Sequence, residues 1–246
     1  QLYDDAERGD EAATAWLMLR QAASDLDTLR KDLAATGEPR RQRARRLRSA
    51  KEAISVALLQ HADRLRSQVV VAPPSYARAH SPSDVTAYVN EEIGSWLARR
   101  TQAIEAAAAA YHAVVELDGG RPSPAHALVA GAAVGGMWAE LVTAAATASH
   151  PPAWELPGVI ATSDPPVAWQ ALRQRYREAM DAALAPYRAR AEGAYRDCVE
   201  YGVLYHYFEG ELRTCEAWLE THAPPDGSLQ PSPAPQPVAL PPRQRQ

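Results

Sequence analysis

The side chains best suited to chemistry in this sequence are two cysteines and seven histidines. Apolar residues return every three or four positions up to Cys198 and, after a break at Gly202, from Phe208 through Cys215 to Trp218. This period predicts two helices that fold back on each other, with one cysteine on each inner stripe. Facing positions in such a hairpin can place Cα atoms within the roughly 7 Å that a disulfide requires. The pair is a candidate disulfide, and the alternative is two small buried thiols.

The histidines do not form a metal-ligand pattern. No two lie at ligand spacing on one predicted helix with a carboxylate, and HExxH, CxxC, GxSxG, Walker and GxGxxG sequences are absent. His206 and Glu209 are one turn apart, a spacing that fits a polar loop better than a ligand pair. We therefore predict a non-catalytic protein without metal or cofactor. The alternative is a helical-bundle enzyme or small-ligand protein with a pocket near His112, Trp138 and Glu140.

The densest charge run contains six arginines: Arg40, Arg41, Arg43, Arg45, Arg46 and Arg48. Such a run could bind phosphate groups or acidic lipids. It lies at a predicted helix start, where the helix dipole disfavours cations, so helix stability does not explain it. The alternative is a solvated face paired with the acids of the preceding helix. No aromatic residue is interleaved to stack on bases and the net charge is −4, so we expect no nucleic-acid partner.

The elements that must position these residues are predicted to be helices. Hydrophobic residues make up 46% of the 246 residues, and β-branched runs are almost absent. The six predicted helices cover about residues 10–36, 39–68, 83–117, 124–149, 167–201 and 207–222. Pro186 is predicted to kink or split the fifth helix. The fold class is thus all-α, with a helical domain over 1–222 and a disordered proline-rich tail over 223–246.

Two features of the predicted core have alternative interpretations. The segment 127–148 is nearly free of charge, which is typical of a membrane span, but it is rich in small residues and contains Glu140. We therefore predict a buried core helix and no transmembrane span. Trp96, Tyr111 and Trp138 fall on the predicted helices as large aromatics. Each is a candidate for the core or for a groove that binds a partner.

Several segments occur in a recognisable order. The run 189–200, ARAEGAYRDCVE, follows Ala185-Pro186 and precedes Phe208 and the run CEAWL at 215–219. Upstream lie the helical segments 58–65, 96–107, 110–115 and 130–138. Together, over roughly residues 51–219, they resemble tetratricopeptide-repeat-like scaffold proteins of myxobacterial type. The chain departs from that pattern because it lacks a clean repeat of about 34 residues and has Glu209-Gly210-Glu211 at the closing turn.

The resemblance implies irregularly stacked antiparallel helical hairpins, as a solenoid or bundle, that bind other proteins. It implies a subunit or adaptor of a bacterial envelope assembly of the motility or secretion type. A periplasmic or envelope location follows, with the cytoplasm as the alternative. The chain begins at Gln1 and not at Met, so we expect any export signal to precede it.

Overall fold

A computed structural model describes residue 14 and residues 17–18, 21–69, 72–75, 82–148, 159–160, 167–208 and 210–222. These residues are mostly helical, which confirms the all-α prediction. The predicted tail 223–246, most of the loop 150–166 and the start of the first predicted helix lie outside the described residues.

The described elements follow the chain in a simple order. The helices are α1 Leu26–Ala35, α2 Arg40–Ser67, α3 Pro82–Ala87, α4 Gly94–Val115, α5 Pro124–Ala146, α6 Trp169–Leu204 and α7 Glu211–His222. A π-helical segment, Tyr88–Ile93, joins α3 to α4, and one turn at Leu117–Gly120 follows α4. Two antiparallel two-residue strands, β1 Val159–Ile160 and β2 Val167–Ala168, pair just before α6.

Helix α5 lies at the centre of the packing. It contacts α4 on one side and α6 on the other, α2 packs against α4, and α7 packs against both α6 and α5. Large buried side chains come from every layer, among them Leu58, Tyr111, Leu128, Leu172 and Leu212. Within the described residues α5 is long and apolar enough, by length and composition, to cross a membrane. Half of its most apolar window is buried inside the protein.

Small residues of α5 let α6 approach unusually closely. A Cβ atom added at Gly131 would lie 3.2 Å from the Cα of Cys198. One added at Gly135 would lie 2.9 Å from the ring of Tyr195. The backbone of α5 therefore fills space that a side chain would normally occupy, and the two helices pack directly against each other.

Pro186 does not split α6, contrary to one of the two predicted outcomes. The helix continues without interruption from Trp169 to Leu204 and contains the proline. Pro186 is on the exposed face. Water can therefore hydrogen-bond the carbonyl oxygen that loses its backbone partner there, which lowers the cost of the proline.

The sequence did not predict the π-helical segment Tyr88–Ile93. Tyr88 and Val89 are adjacent and both buried in it, but the regular helix α4 also buries adjacent residues, so this pattern does not distinguish a π-helix. The Tyr88 hydroxyl donates a hydrogen bond of 2.7 Å to the carbonyl oxygen of Pro74. The segment thus ties the start of α4 to the described residues 72–75.

Two glycine substitutions test the close contact between α5 and α6. Gly135→Ala is expected to lower the free energy of unfolding by about 1–3 kcal/mol, because the new methyl group collides with Tyr195. Gly193→Ala in α6 is the matched control, since nothing lies within 4 Å of its added Cβ atom. The control should gain about 0.5–1 kcal/mol from helix propensity. Urea unfolding followed by circular dichroism measures both, and equal stabilisation of the two variants would contradict the contact.

Candidate functional site

Cys198 and Cys215 form a disulfide that joins α6 to α7. Their Cα atoms are 6.4 Å apart, and both side chains are fully buried. The predicted pairing is confirmed, together with the helical hairpin that positions it. The two residues are 17 positions apart, so the bond closes a loop that contains the whole connection between the two helices.

Close packing supports the disulfide on both sides. The rings of Tyr195 and Trp218 stack with centroids 4.4 Å apart, and Trp218 stacks on His222 at 4.5 Å. A Cβ atom added at Gly202 would lie 2.8 Å from Leu212, so α6 and α7 nearly touch beyond the disulfide as well. The hairpin is therefore held at three levels along its length.

The end of α6 is fixed by a Schellman motif. The backbone N–H of Tyr207 donates to the carbonyl of Gly202 at 2.9 Å, and that of His206 donates to Val203 at 3.2 Å. His206 occupies the left-handed position of this motif with φ of 52°, where glycine is usual. A non-glycine residue there costs about 1–2 kcal/mol, which the surrounding hairpin must offset.

Three large apolar side chains are exposed at this turn. We call these side chains the apolar tip. They are Val203, Leu204 and Phe208, which are 58%, 65% and 53% exposed. The prediction that Phe208 continues the buried stripe is wrong. It lies in the non-helical connection after the Schellman motif, where helical spacing no longer decides which way a side chain points. Glu200 and Glu211 flank the tip as exposed acids.

The arginine run divides between different roles. Arg43 donates a hydrogen bond of 3.2 Å to the carbonyl of Ala34 at the end of α1, and Arg46 pairs with Glu38 at 2.6 Å. These contacts hold the turn between α1 and α2, and neither acceptor is an acidic side chain of α1. Arg40 is exposed. A surface groove of about 550 Å³ is lined in part by Arg41, Arg45, Arg48, Lys51 and Asp118.

Asp118 lies in the turn after α4 and connects that turn to the first two helices. Its backbone has φ of 59°, and its side chain is 9% exposed. It forms ion pairs with Arg30 of α1 and, at 3.2 Å, with Lys51 of α2. The connection between α4 and α5 is thereby tied to the first helical hairpin.

The aromatic groove candidates all lie in the core. Trp96, Tyr111 and Trp138 are buried, which agrees with the core interpretation of each. A partner could not reach them without opening the helix packing.

The alternative pocket does not assemble around its three predicted residues. His112 lies beside Asp197 in a crevice of about 30 Å³, whereas Glu140 forms an ion pair of 2.7 Å with Arg66. Trp138 is two residues from Glu140 on α5, and residues at this spacing point in different directions. Each of the three therefore has its own surroundings.

A polar cluster connects α2, α4 and α5. The Tyr111 hydroxyl donates a hydrogen bond to Asp63, next to the ion pair between Arg66 and Glu140. Burial, followed by the hydrogen bond and charge of Asp63, raises the pKa of Tyr111 well above its ordinary value. One sequence signal could have indicated this cluster: Glu140 is an acid within an otherwise uncharged helix, and such a group needs a partner.

A larger groove lies between α1, α2 and α4. Its volume is about 930 Å³, and its walls include Leu58 and His61 from α2 and a row of alanines from α4. Among the described residues no group of three histidine, cysteine, aspartate or glutamate side chains could hold a metal ion.

The disulfide generates a prediction about stability. Reduction, or the double change Cys198→Ala with Cys215→Ala, should lower the free energy of unfolding by roughly 3 kcal/mol through loop entropy in the unfolded chain. Helix content should remain, because the apolar stripes of α6 and α7 are unchanged. Thermal unfolding under oxidising and reducing conditions measures the difference, and circular dichroism checks the helix content. Loss of all helical signal on reduction would show that the bond is needed for folding itself.

No family model, curated protein or solved structure matches this chain. Its function must therefore be argued from three features of its structure: the disulfide-linked hairpin of α6 and α7, the apolar tip, and the polar cluster near Arg66.

Proposed function

We propose that this protein is a non-catalytic interaction scaffold, a subunit or adaptor of a bacterial envelope assembly that binds another protein through the apolar tip. The observation that carries the proposal is the exposure of Val203, Leu204 and Phe208 within the loop that the disulfide closes. Exposed apolar side chains that cluster on a rigid element are typical of binding surfaces.

Rigidity is what makes the tip suited to recognition. The disulfide, the Schellman motif and the contact between Gly202 and Leu212 all fix the backbone that presents it. A surface that is already ordered loses little conformational entropy when a partner binds, so more of the contact energy appears as affinity. A flexible loop with the same residues would bind more weakly.

The charges around the tip indicate the kind of partner. Glu200 and Glu211 are exposed acids on either side of the apolar residues. The complementary surface is a protein pocket with an apolar floor and a basic rim, since opposite charges at a rim favour the correct encounter. The same acids disfavour an anionic membrane surface or a nucleic acid as the occupant.

The proposed location is the periplasm or another oxidising part of the envelope. Disulfides persist in such compartments and are rare in a reducing cytosol, so the Cys198–Cys215 bond supports this choice over the cytoplasmic alternative. The resemblance to tetratricopeptide-repeat-like scaffolds supports an irregular stack of helical hairpins as the finer description of the fold. We propose that α5 is a core helix of this scaffold and not a membrane span.

The test compares the tip with a second exposed apolar site of the same chain. Tagged protein is recovered from the envelope fraction of the native host, and a co-purifying protein is identified and purified. We expect the triple variant Val203→Ser, Leu204→Ser, Phe208→Ser to weaken binding to that protein by tenfold or more, about 1.4 kcal/mol. Thermal unfolding should change little, because the three side chains are exposed in the free protein.

The control variant is Leu17→Ser with Met18→Ser, which removes two side chains that are 66% and 69% exposed elsewhere. It should bind as tightly as the parent chain. Equal weakening in both variants, or none in the triple variant, would show that the tip is not the binding surface.

A further inference from the structure

A cavity of about 320 Å³ lies between α2, α4 and α5, apart from the apolar tip. Its walls include four apolar side chains: Val69, Ile104, Met137 and Leu141. Its polar side is formed by Asp63, Arg66, Ser67, Arg100 and Glu140. This combination, an apolar body with a few polar groups at one side, is the usual composition of a small-molecule site, and the volume is within the usual range.

Arg100 is the unusual member of this cavity. Its Nε and Nη1 atoms are shielded from solvent and donate no hydrogen bond. The guanidinium lies over the ring of Trp96, with its carbon atom 5.6 Å from the ring centroid. The residue as a whole is partly exposed, but a shielded N–H group without an acceptor is costly, so these two atoms indicate a missing partner.

The neighbouring charges already have partners. Arg66 pairs with Glu140 at 2.7 Å, and Asp63 accepts a hydrogen bond from Tyr111. Arg100 is therefore the arginine of this lining whose shielded N–H groups have no acceptor, while the formal charges of the lining balance, with two arginines against Asp63 and Glu140. Burial lowers the pKa of Arg100, although Glu140 raises it, and an arginine stays protonated at neutral pH under such a change.

We propose that this cavity binds a small monocarboxylate with an apolar body, whose carboxylate accepts hydrogen bonds from Arg100 while its hydrocarbon part contacts Ile104 and Leu141. The two shielded N–H groups of Arg100 need an acceptor, and one carboxylate supplies two oxygens while adding a single negative charge to a lining whose formal charges balance. A dianion such as phosphate would add two negative charges beside the carboxylates of Asp63 and Glu140. The planar guanidinium suits a carboxylate, which it can bind through two parallel hydrogen bonds.

The experiment uses the full chain and three probes: benzoate, 3-phenylpropionate and 3-methylbutanoate. Tryptophan fluorescence reports binding because Trp96 contacts the Arg100 guanidinium, and calorimetry provides an independent readout. We expect saturable binding of at least one probe and none of benzamide, which has a similar shape without the charge. Inorganic phosphate should not compete.

Arg100→Gln should weaken binding by about tenfold or more, since a hydrogen-bonded ion pair is lost. Arg99→Gln is the matched control, because Arg99 is the exposed neighbour on the same helix and lines no part of this cavity. Arg99→Gln should bind as the parent chain does. Arg100→Lys, which keeps the charge without the planar fork, should fall between the two.

Thermal unfolding separates a binding role from a structural one. Without ligand, Arg100→Gln should raise the midpoint slightly or leave it unchanged, because it removes two shielded N–H groups that have no acceptor. Addition of the bound probe should raise the midpoint of the parent chain and not that of Arg100→Gln. The proposal is overturned if no probe shows saturable binding, if benzamide or phosphate binds equally well, or if Arg100→Gln and Arg99→Gln behave alike.

Discussion

The rest of the structure depends on the close contact between α5 and α6. Gly131 and Gly135 let the backbone of α5 lie directly against Cys198 and Tyr195 of α6. Those two residues then make the main contacts with α7, through the disulfide and through the stacked ring of Trp218. A bulky side chain at either glycine would push α6 outward, and α7 would move with it. The position of the apolar tip thus depends on the two glycines in the central helix, which have no side chain to keep α6 away.

Much of the fold could be predicted from the period of apolar residues, because a helix that buries one face must repeat every three or four positions. The buried stripe of α4, with Trp96, Tyr111 and Val114, follows that spacing closely. The period is a poor guide to where the backbone leaves the α-helix. The π-helical segment still buries Val89 and Ile93 at helical spacing, so the period does not reveal its wider turn, whereas the Schellman motif leaves Phe208 exposed. Neither deviation has a distinctive residue type, since His206 occupies a position where glycine would have indicated the turn.

The polar contacts were harder to predict than the core, because their partners are far apart in the chain. Asp118 pairs with Arg30 and Lys51 across more than sixty residues, and Arg66 pairs with Glu140 at a similar separation. Sequence spacing carries no information about such pairs. Arg100 is the converse case: a charged residue in an ordinary helical sequence proves to have two N–H groups that are shielded from solvent and lack an acceptor. The missing acceptor becomes visible only once α2, α4 and α5 are packed around the cavity.

Helix α6 has 36 residues and is therefore about 54 Å long, whereas α5 has 23 residues and is about 35 Å long. Roughly 20 Å of α6 must overhang the helix against which it packs. The overhang is the N-terminal part of α6, because Gly131 and Gly135 of α5 lie against Cys198 and Tyr195 near its other end. Side chains there are buried, and Tyr176 packs against Tyr88 of the π-helical segment with ring centroids 6.3 Å apart. The extra length of α6 therefore joins the segment that precedes α4 to the core around α5, so shortening α6 from its N-terminal end would uncover that segment.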